Sequence, residues 1–268
     1  MSTVTLTDDI ASKSLPAAKL QPKEHGAYAI LGIPIVASLA ITGPTVVGVS
    51  VAAASAAGFL AHEPLLVAWG HRGKRAKQNT PSATKRLATL LAITVMFGTL
   101  ALVLGSPIVR GSLLGCSVLA ISGFALAIAG KHRTLGGQMW GVIGLSVPCV
   151  PILLAGGLSF ADTMQSWATW LVGFAATTMA VRGVIAAQKR HSRQIHWFSI
   201  SALSILVAVT TFAGYSLTIT TLPMLAMAWY LMFDPPHARQ LKRVGWTLVV
   251  GTVATAVWMI VRVIAINS

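Results

Sequence analysis

Acidic residues are what this chain has least of. It holds six Asp and Glu against 20 Lys and Arg, and charged residues make up 10% of the whole. A soluble globular domain carries charge at roughly a quarter of its positions, so this composition excludes an ordinary water-soluble globule. Hard divalent cations want several converging carboxylates, and the chain offers few. Cysteine is scarce too. Cys116 and Cys149 both fall inside apolar segments, where they read as small core residues rather than a disulfide or a thiolate metal site. No Walker loop, dinucleotide fingerprint or Gly-x-Ser-x-Gly elbow occurs. His62-Glu63-Pro64 lacks the His-Glu-x-x-His spacing of a zinc protease, and adjacent residues of a helix point to different sides. No metal site is expected, and the residues name no cofactor. The first 25 residues contain Asp8 and Asp9 and no short apolar region ending in a small-residue cleavage site. A removable signal peptide is therefore not expected.

What the chain has in abundance is apolar sequence. Hydrophobic residues make up 55%, and the mean hydropathy is +0.75. That is the composition of an all-α, multi-pass membrane bundle. A spanning helix needs about 20 mainly apolar residues, and on that rule the sequence divides into about nine spans. They run Gly26–Thr42, Thr45–Trp69, Arg86–Leu104, Ser112–Gly130, Gln138–Gly156, Trp167–Ala187, Trp197–Gly214, Ser216–Phe233 and Val244–Ile266. The seventh and eighth meet at Gly214-Tyr215-Ser216 with almost no loop. Residues 1–21 read as a mobile cytoplasmic tail, and residues 22–268 as a single transmembrane domain.

The net charge of +14 could signal a nucleic-acid partner. Here the cations sit at the edges of apolar segments, so the membrane explains them and no nucleic acid is expected. With nine spans, the tail and the loops after spans two, four, six and eight hold 17 of the 20 basic residues. Arg110, Arg182 and Arg262 are the exceptions. This asymmetry puts the N-terminus in the cytoplasm and the C-terminus outside, across a bacterial inner membrane.

An ionisable side chain inside a span costs about 2.5–3.5 kcal/mol on insertion scales, so it usually faces the protein and serves function. His62 and Glu63 meet that description. Glu24 and His25 enter the first span at a similar depth, so Glu63, His62, Glu24 and His25 are the candidate catalytic residues. Glu63 has a second reading, as the neutralising partner of a nearby Arg that holds helices together. Pro64 removes the N–H that would bond the carbonyl of Leu60 and is expected to kink the span, either to free carbonyls for a ligand or simply for packing. Arg182 lies about 9 Å along its helix from Gln188. It either snorkels to the interface or turns inward to Glu63 or an anionic ligand. The loops Gly130–Arg133, Gln188–His196 and Asp234–Arg243 carry further cations. They either touch lipid headgroups or form a phosphate-binding vestibule. The candidate substrate-binding set is Lys23, Arg72, Lys77, Lys131, Arg182, Gln188, Lys189 and Arg190. Trp69, Trp140, Trp197, Trp229 and Trp246 read as an interfacial belt, and Asp162 as a solvated loop residue.

The stretches Pro22–Ala29 (PKEHGAYA), His62–Val67 (HEPLLV) and Arg72–Lys77 (RGKRAK) resemble the YwiC-like family of bacterial membrane proteins. That resemblance implies an architecture rather than an activity. A looser one, in span number and in the basic segments after spans two and six, is to the UbiA-type intramembrane prenyltransferases. The chain departs from them in lacking both Asp-rich, Mg²⁺-holding motifs. An isoprenyl or phospholipid-like substrate would then be held by Lys and Arg. The function expected is binding, and group transfer, on a lipidic or isoprenoid anion. A proton-coupled exporter and a non-catalytic assembly subunit are the alternatives. Membrane lipid is the expected partner, and the oligomeric state is left open.

Overall fold

The computed structural model of the chain describes residues 20–21, 25–131, 134–237 and 240–267. Among the described residues every regular element is helical. The helices are α1 (His25–Thr42), α2 (Val46–Ala68), α3 (Lys74–Gln78), α4 (Ser82–Leu104), α5 (Pro107–Ile128), α6 (Leu135–Ser146), α7 (Cys149–Ala155), α8 (Phe160–Gln188) and α9 (Gln194–Phe212). A 3-10 turn (Thr218–Thr221), α10 (Leu222–Phe233) and α11 (Leu241–Asn267) complete the chain. Among the described residues seven helical segments are long and apolar enough to cross a membrane, α6 and α7 counting together as one, while Gly26–Thr42 and Thr218–Phe233 are shorter apolar helices. The 18 residues of α1 extend about 27 Å, just under the roughly 30 Å of a hydrocarbon core.

Local chemistry explains where the observed helices depart from the expected spans. The fifth is two helices, because Val147 ends α6 and Pro148 starts α7. Pro148 and Pro151 have no N–H to continue the ladder. All six residues from Cys149 to Leu154 are buried. The eighth opens as a 3-10 turn before Pro223 sits in the first turn of α10. Pro64 does not end α2, which continues as α-helix to Ala68. The short helix α3 had no signal in the apolar pattern.

Small residues set the packing. The run Ala52–Gly58 gives α2 a surface with little side-chain bulk, and α4 makes its most extensive contact there. Thr94 of α4 donates to the Ala54 carbonyl at 3.4 Å, the close approach that small residues permit between membrane helices. Glycines of α8 play the same part against α10. A Cβ on Gly173 would lie 2.5 Å from Met224 Sδ, and one on Gly183 would lie 2.5 Å from Met232 Sδ. The central core joins α1, α5, α7, α8, α10 and α11 around Trp170, Phe174, Met224 and Met259. Within it Ala37 of α1 and Ala256 of α11 share one cluster, so the first and last helices pack together.

The outward faces are apolar. Val95 and Val103 of α4, Val118 and Ile121 of α5, and Phe198 and Ile205 of α9 are each more than 60% exposed. An apolar surface that large is untenable in water and is the natural exterior of a bundle in lipid. This is a multi-pass membrane protein.

Candidate functional site

Side-chain contacts gather the basic loops on one face of the bundle. Gln188, at the end of α8, donates to the Pro236 carbonyl after α10 at 3.0 Å. Arg182 of α8 donates to Gln138 Oε1 near the start of α6 at 2.8 Å. His62 of α2 stacks on Phe124 near the end of α5, ring centroids 6.0 Å apart. Two polar clusters occupy this face.

The first is at the end of α2. Glu63 is 2% exposed, and Arg72 grips it with both prongs: Nε to Oε1 at 2.8 Å and Nη2 to Oε2 at 2.7 Å. Backbone geometry brings Arg72 back. Gly70, at φ +86°, lets its N–H bond the Val67 carbonyl while His71 N–H bonds that of Leu66, the paired closure that a left-handed residue makes after a helix. Gly73, at φ +97°, then turns the chain into α3. The arginine that neutralises Glu63 is thus nine residues along the chain. The expected alternative, Arg182, is taken by Gln138. Glu63 is thus a buried carboxylate with both oxygens on a guanidinium.

The second cluster lies where α8, α9 and α10 meet. α8 closes as α2 does, with Arg190 N–H to the Ala187 carbonyl and His191 N–H to that of Ala186. Here an arginine, not glycine, occupies the left-handed position, at φ +56°, where a Cβ costs about 1–2 kcal/mol. The turn delivers Arg193 to the end of α10, where Nη2 donates to the Met232 carbonyl. Its Cζ lies 5.6 Å from the Trp197 ring centroid, within cation–π range. Trp197, Trp229 and Phe233 form an aromatic cluster beside it, with centroids 5.1–5.7 Å apart. Arg193 and His196 were not individually apparent as candidates. A cation at the cap position of a helix whose first turns carry His196, Trp197 and Phe198 is the signal that marks them.

The other expected residues are placed plainly. Lys77 on α3, Lys131 after α5, and Lys189 and Arg190 after α8 are exposed and stand apart from Glu63. Lys23 and Glu24 lie outside the described residues, as does the His25 side chain. α1 does touch α2. Asp162 accepts from Ser159 Oγ at 2.6 Å while its N–H bonds Ser159 Oγ at 3.1 Å, so it belongs to the N-terminal cap of α8. Arg110 donates to the carbonyls of Leu102 and Val103 at 2.9 and 3.0 Å and closes the end of α4. At the opposite end of the bundle an apolar groove of about 480 Å³ runs between α5, the α6–α7 break and α8, past Gly111, Gly115 and Trp167. It is lined by none of the candidate residues. Among the described residues no group of three or more His, Cys, Asp or Glu is placed to hold a metal.

The sequence profile described as "YwiC-like protein" matches residues 21–153, from α1 into α7. No curated protein and no solved structure matches the chain. The profile covers Glu63, Arg72 and the broken α6–α7 segment, and ends before α8. Residues 21–153, just under half of the chain, are similar to the YwiC-like family.

Proposed function

We propose that the chain is a nine-span protein of a bacterial inner membrane, N-terminus cytoplasmic and C-terminus outside, whose basic face binds a phosphorylated lipid or isoprenoid anion. The span count rests on charge. Counting just the seven longer segments would put the tail lysines and the Arg239–Arg243 stretch opposite the loops after α2 and α8. Including both short apolar helices brings all of them together, as membrane topology requires.

The anion reading rests on one observation: the face is rich in cations, and among the described residues Arg72 is the one that an acid neutralises by an ion pair. Anionic headgroups are the natural counter-ions for the others. Transfer chemistry is the finer part of this reading. Glu63 or His62 would be the base, assisted by Glu24 and His25. Both Glu63 oxygens are occupied by the Arg72 guanidinium, which favours binding over transfer. The likeness to UbiA-type enzymes stays one of layout, with Lys and Arg in place of Mg²⁺. A transporter is the second reading, favoured by the buried discontinuity between α6 and α7, since broken helices line many transport sites.

Mass spectrometry of the protein purified in mild detergent, with metal analysis, tests the reading. A co-purifying phosphorylated lipid or isoprenoid, depleted in Arg182→Ala, is the expected result. A preparation carrying no lipid anion overturns it and sends the question to flux assays in proteoliposomes. Fusion of alkaline phosphatase to the C-terminus should give active enzyme. A fluorescent GFP fusion at that end would refute the orientation.

A further inference from the structure

The polar atoms with the least explanation on the basic face belong to Arg193 and His196. Arg193 Nε and His196 Nδ1 are both buried and have no hydrogen-bond partner. Unsatisfied buried nitrogens are rare in folded proteins and ask for a missing partner. These two come from one turn of one helix, since His196 N–H bonds the Arg193 carbonyl at 3.0 Å. His196 also sits on α8: its Cβ is 3.4 Å from where a Cβ on Gly183 would be, next to Arg182 in the chain. The charges of Arg182 and Arg193 both reach its ring. All three side chains are half-buried.

The backbone adds to this. Arg193 is the cap residue of the 19-residue α9, and no side chain caps that end. The positive end of the helix dipole points to the same junction. Among the described residues no carboxylate pairs with Arg182, Arg193 or His196. The Met232 carbonyl and Gln138 Oε1 occupy one prong of each guanidinium. Arg262 also has a buried, unpartnered Nε, but it stands near the far end of α11, away from these cations.

A group able to satisfy the Arg193 Nε–H, a second guanidinium and His196 Nδ1, whether as donor or acceptor, must carry several oxygens and negative charge. A phosphate does so; a chloride has no spread of oxygens, and a water cannot balance the charge. We propose that the α8–α9 junction is a phosphate-type oxyanion site formed by Arg193, His196 and Arg182. It deepens the anion-binding reading above and rests on it, assigning the anion to this junction and not to the Glu63–Arg72 end. The phosphate has two possible sources, a lipid headgroup or a soluble ion.

The test uses the full-length protein in nanodiscs of phosphatidylcholine, with ³²P-labelled inorganic phosphate and short-chain dihexanoyl phosphatidic acid as probes. Saturable binding of one or both is expected, weakened at least tenfold in His196→Gln and Arg182→Gln and unchanged in Lys74→Gln. Arg193→Lys keeps a donor for the Met232 carbonyl but has no Nε–H, so it tests the missing contact in a folded protein and should also lose at least tenfold. Binding of phosphatidic acid alone identifies a headgroup site, and equal binding of both probes identifies a site for the free ion. If the three junction variants bind as well as wild type while Arg72→Gln does not, this site is wrong and the broader anion reading survives. If wild type binds neither probe, both fall.

Discussion

At the end of α2 a buried carboxylate meets a guanidinium through two hydrogen bonds; at the end of α8 two guanidiniums and an imidazole gather, and among the described residues no carboxylate pairs with them. The two helix ends share a face and the same backbone closure, yet differ in the residue at the left-handed position, Gly70 against Arg190. The first end is electrically closed and relaxed. The second is electrically open and pays a conformational penalty for an arginine where glycine fits best. Strain and uncompensated charge in one place mark where a ligand has something to do. The neutral pair reads as architecture, which agrees with its lying in the segment that the family profile covers.

The largest expected effect would break this contrast. Arg72→Ala strands Glu63 in the protein interior and should cost about 3 kcal/mol, the lower end for breaking a buried pair because Arg72 itself is partly exposed. Thermal unfolding in mild detergent would measure it, and Glu63→Leu combined with Arg72→Leu should recover most of the loss. Arg182→Ala, by contrast, should cost roughly 0–1 kcal/mol. If it proved as damaging as Arg72→Ala, the two ends would not differ in kind. Next comes Gly183→Ala. The added methyl displaces Met232 Sδ, which lies 3.6 Å from Arg193 Nη2, so a loss of about 1 kcal/mol is expected from overpacking. A shift in the fluorescence of Trp197, with the other tryptophans replaced, would show that the disturbance reaches the junction.

The remaining pair sharpens the comparison. Gly70→Ala puts a Cβ into a left-handed position and should destabilise by about 1 kcal/mol, loosening the return of Arg72. Arg190→Gly does the reverse and should gain about 0.5–1 kcal/mol. Hydrogen exchange at the ends of α2 and α8 would register opposite changes. An Arg190→Gly variant that is less stable than wild type would mean that the Arg190 side chain contributes more than its backbone costs.

Much of this was legible in the residues, and what was not has a physical reason. Runs of apolar residues place the helices, and an acid at position 63 within such a run has to be buried and compensated. The choice of Arg72 over Arg182 as its partner was hidden. Whether a loop arginine returns to its own helix depends on two left-handed residues, and Gly70 and Gly73 were the available clue. The break at Val147 was written in Pro148 and Pro151, but hydropathy averages across such a break. Arg193 and His196 were read as part of a basic loop, because topology signals and binding residues are the same amino acids on the same side of a membrane. Whether the Glu24–His25 and His62–Glu63 pairs share a cavity turns on residues outside those described.

The contact between α1 and α11 has a consequence for biosynthesis. α1 is made well before α11, so Ala37 and its neighbours have no α11 surface to cover them until the intervening helices have been synthesised. α1 is also one of the two shorter apolar helices. Its pairing with α11 is therefore a late step of assembly. A chain truncated before α11 would be inserted but left ajar, one face of α1 bare to lipid and to quality-control proteases.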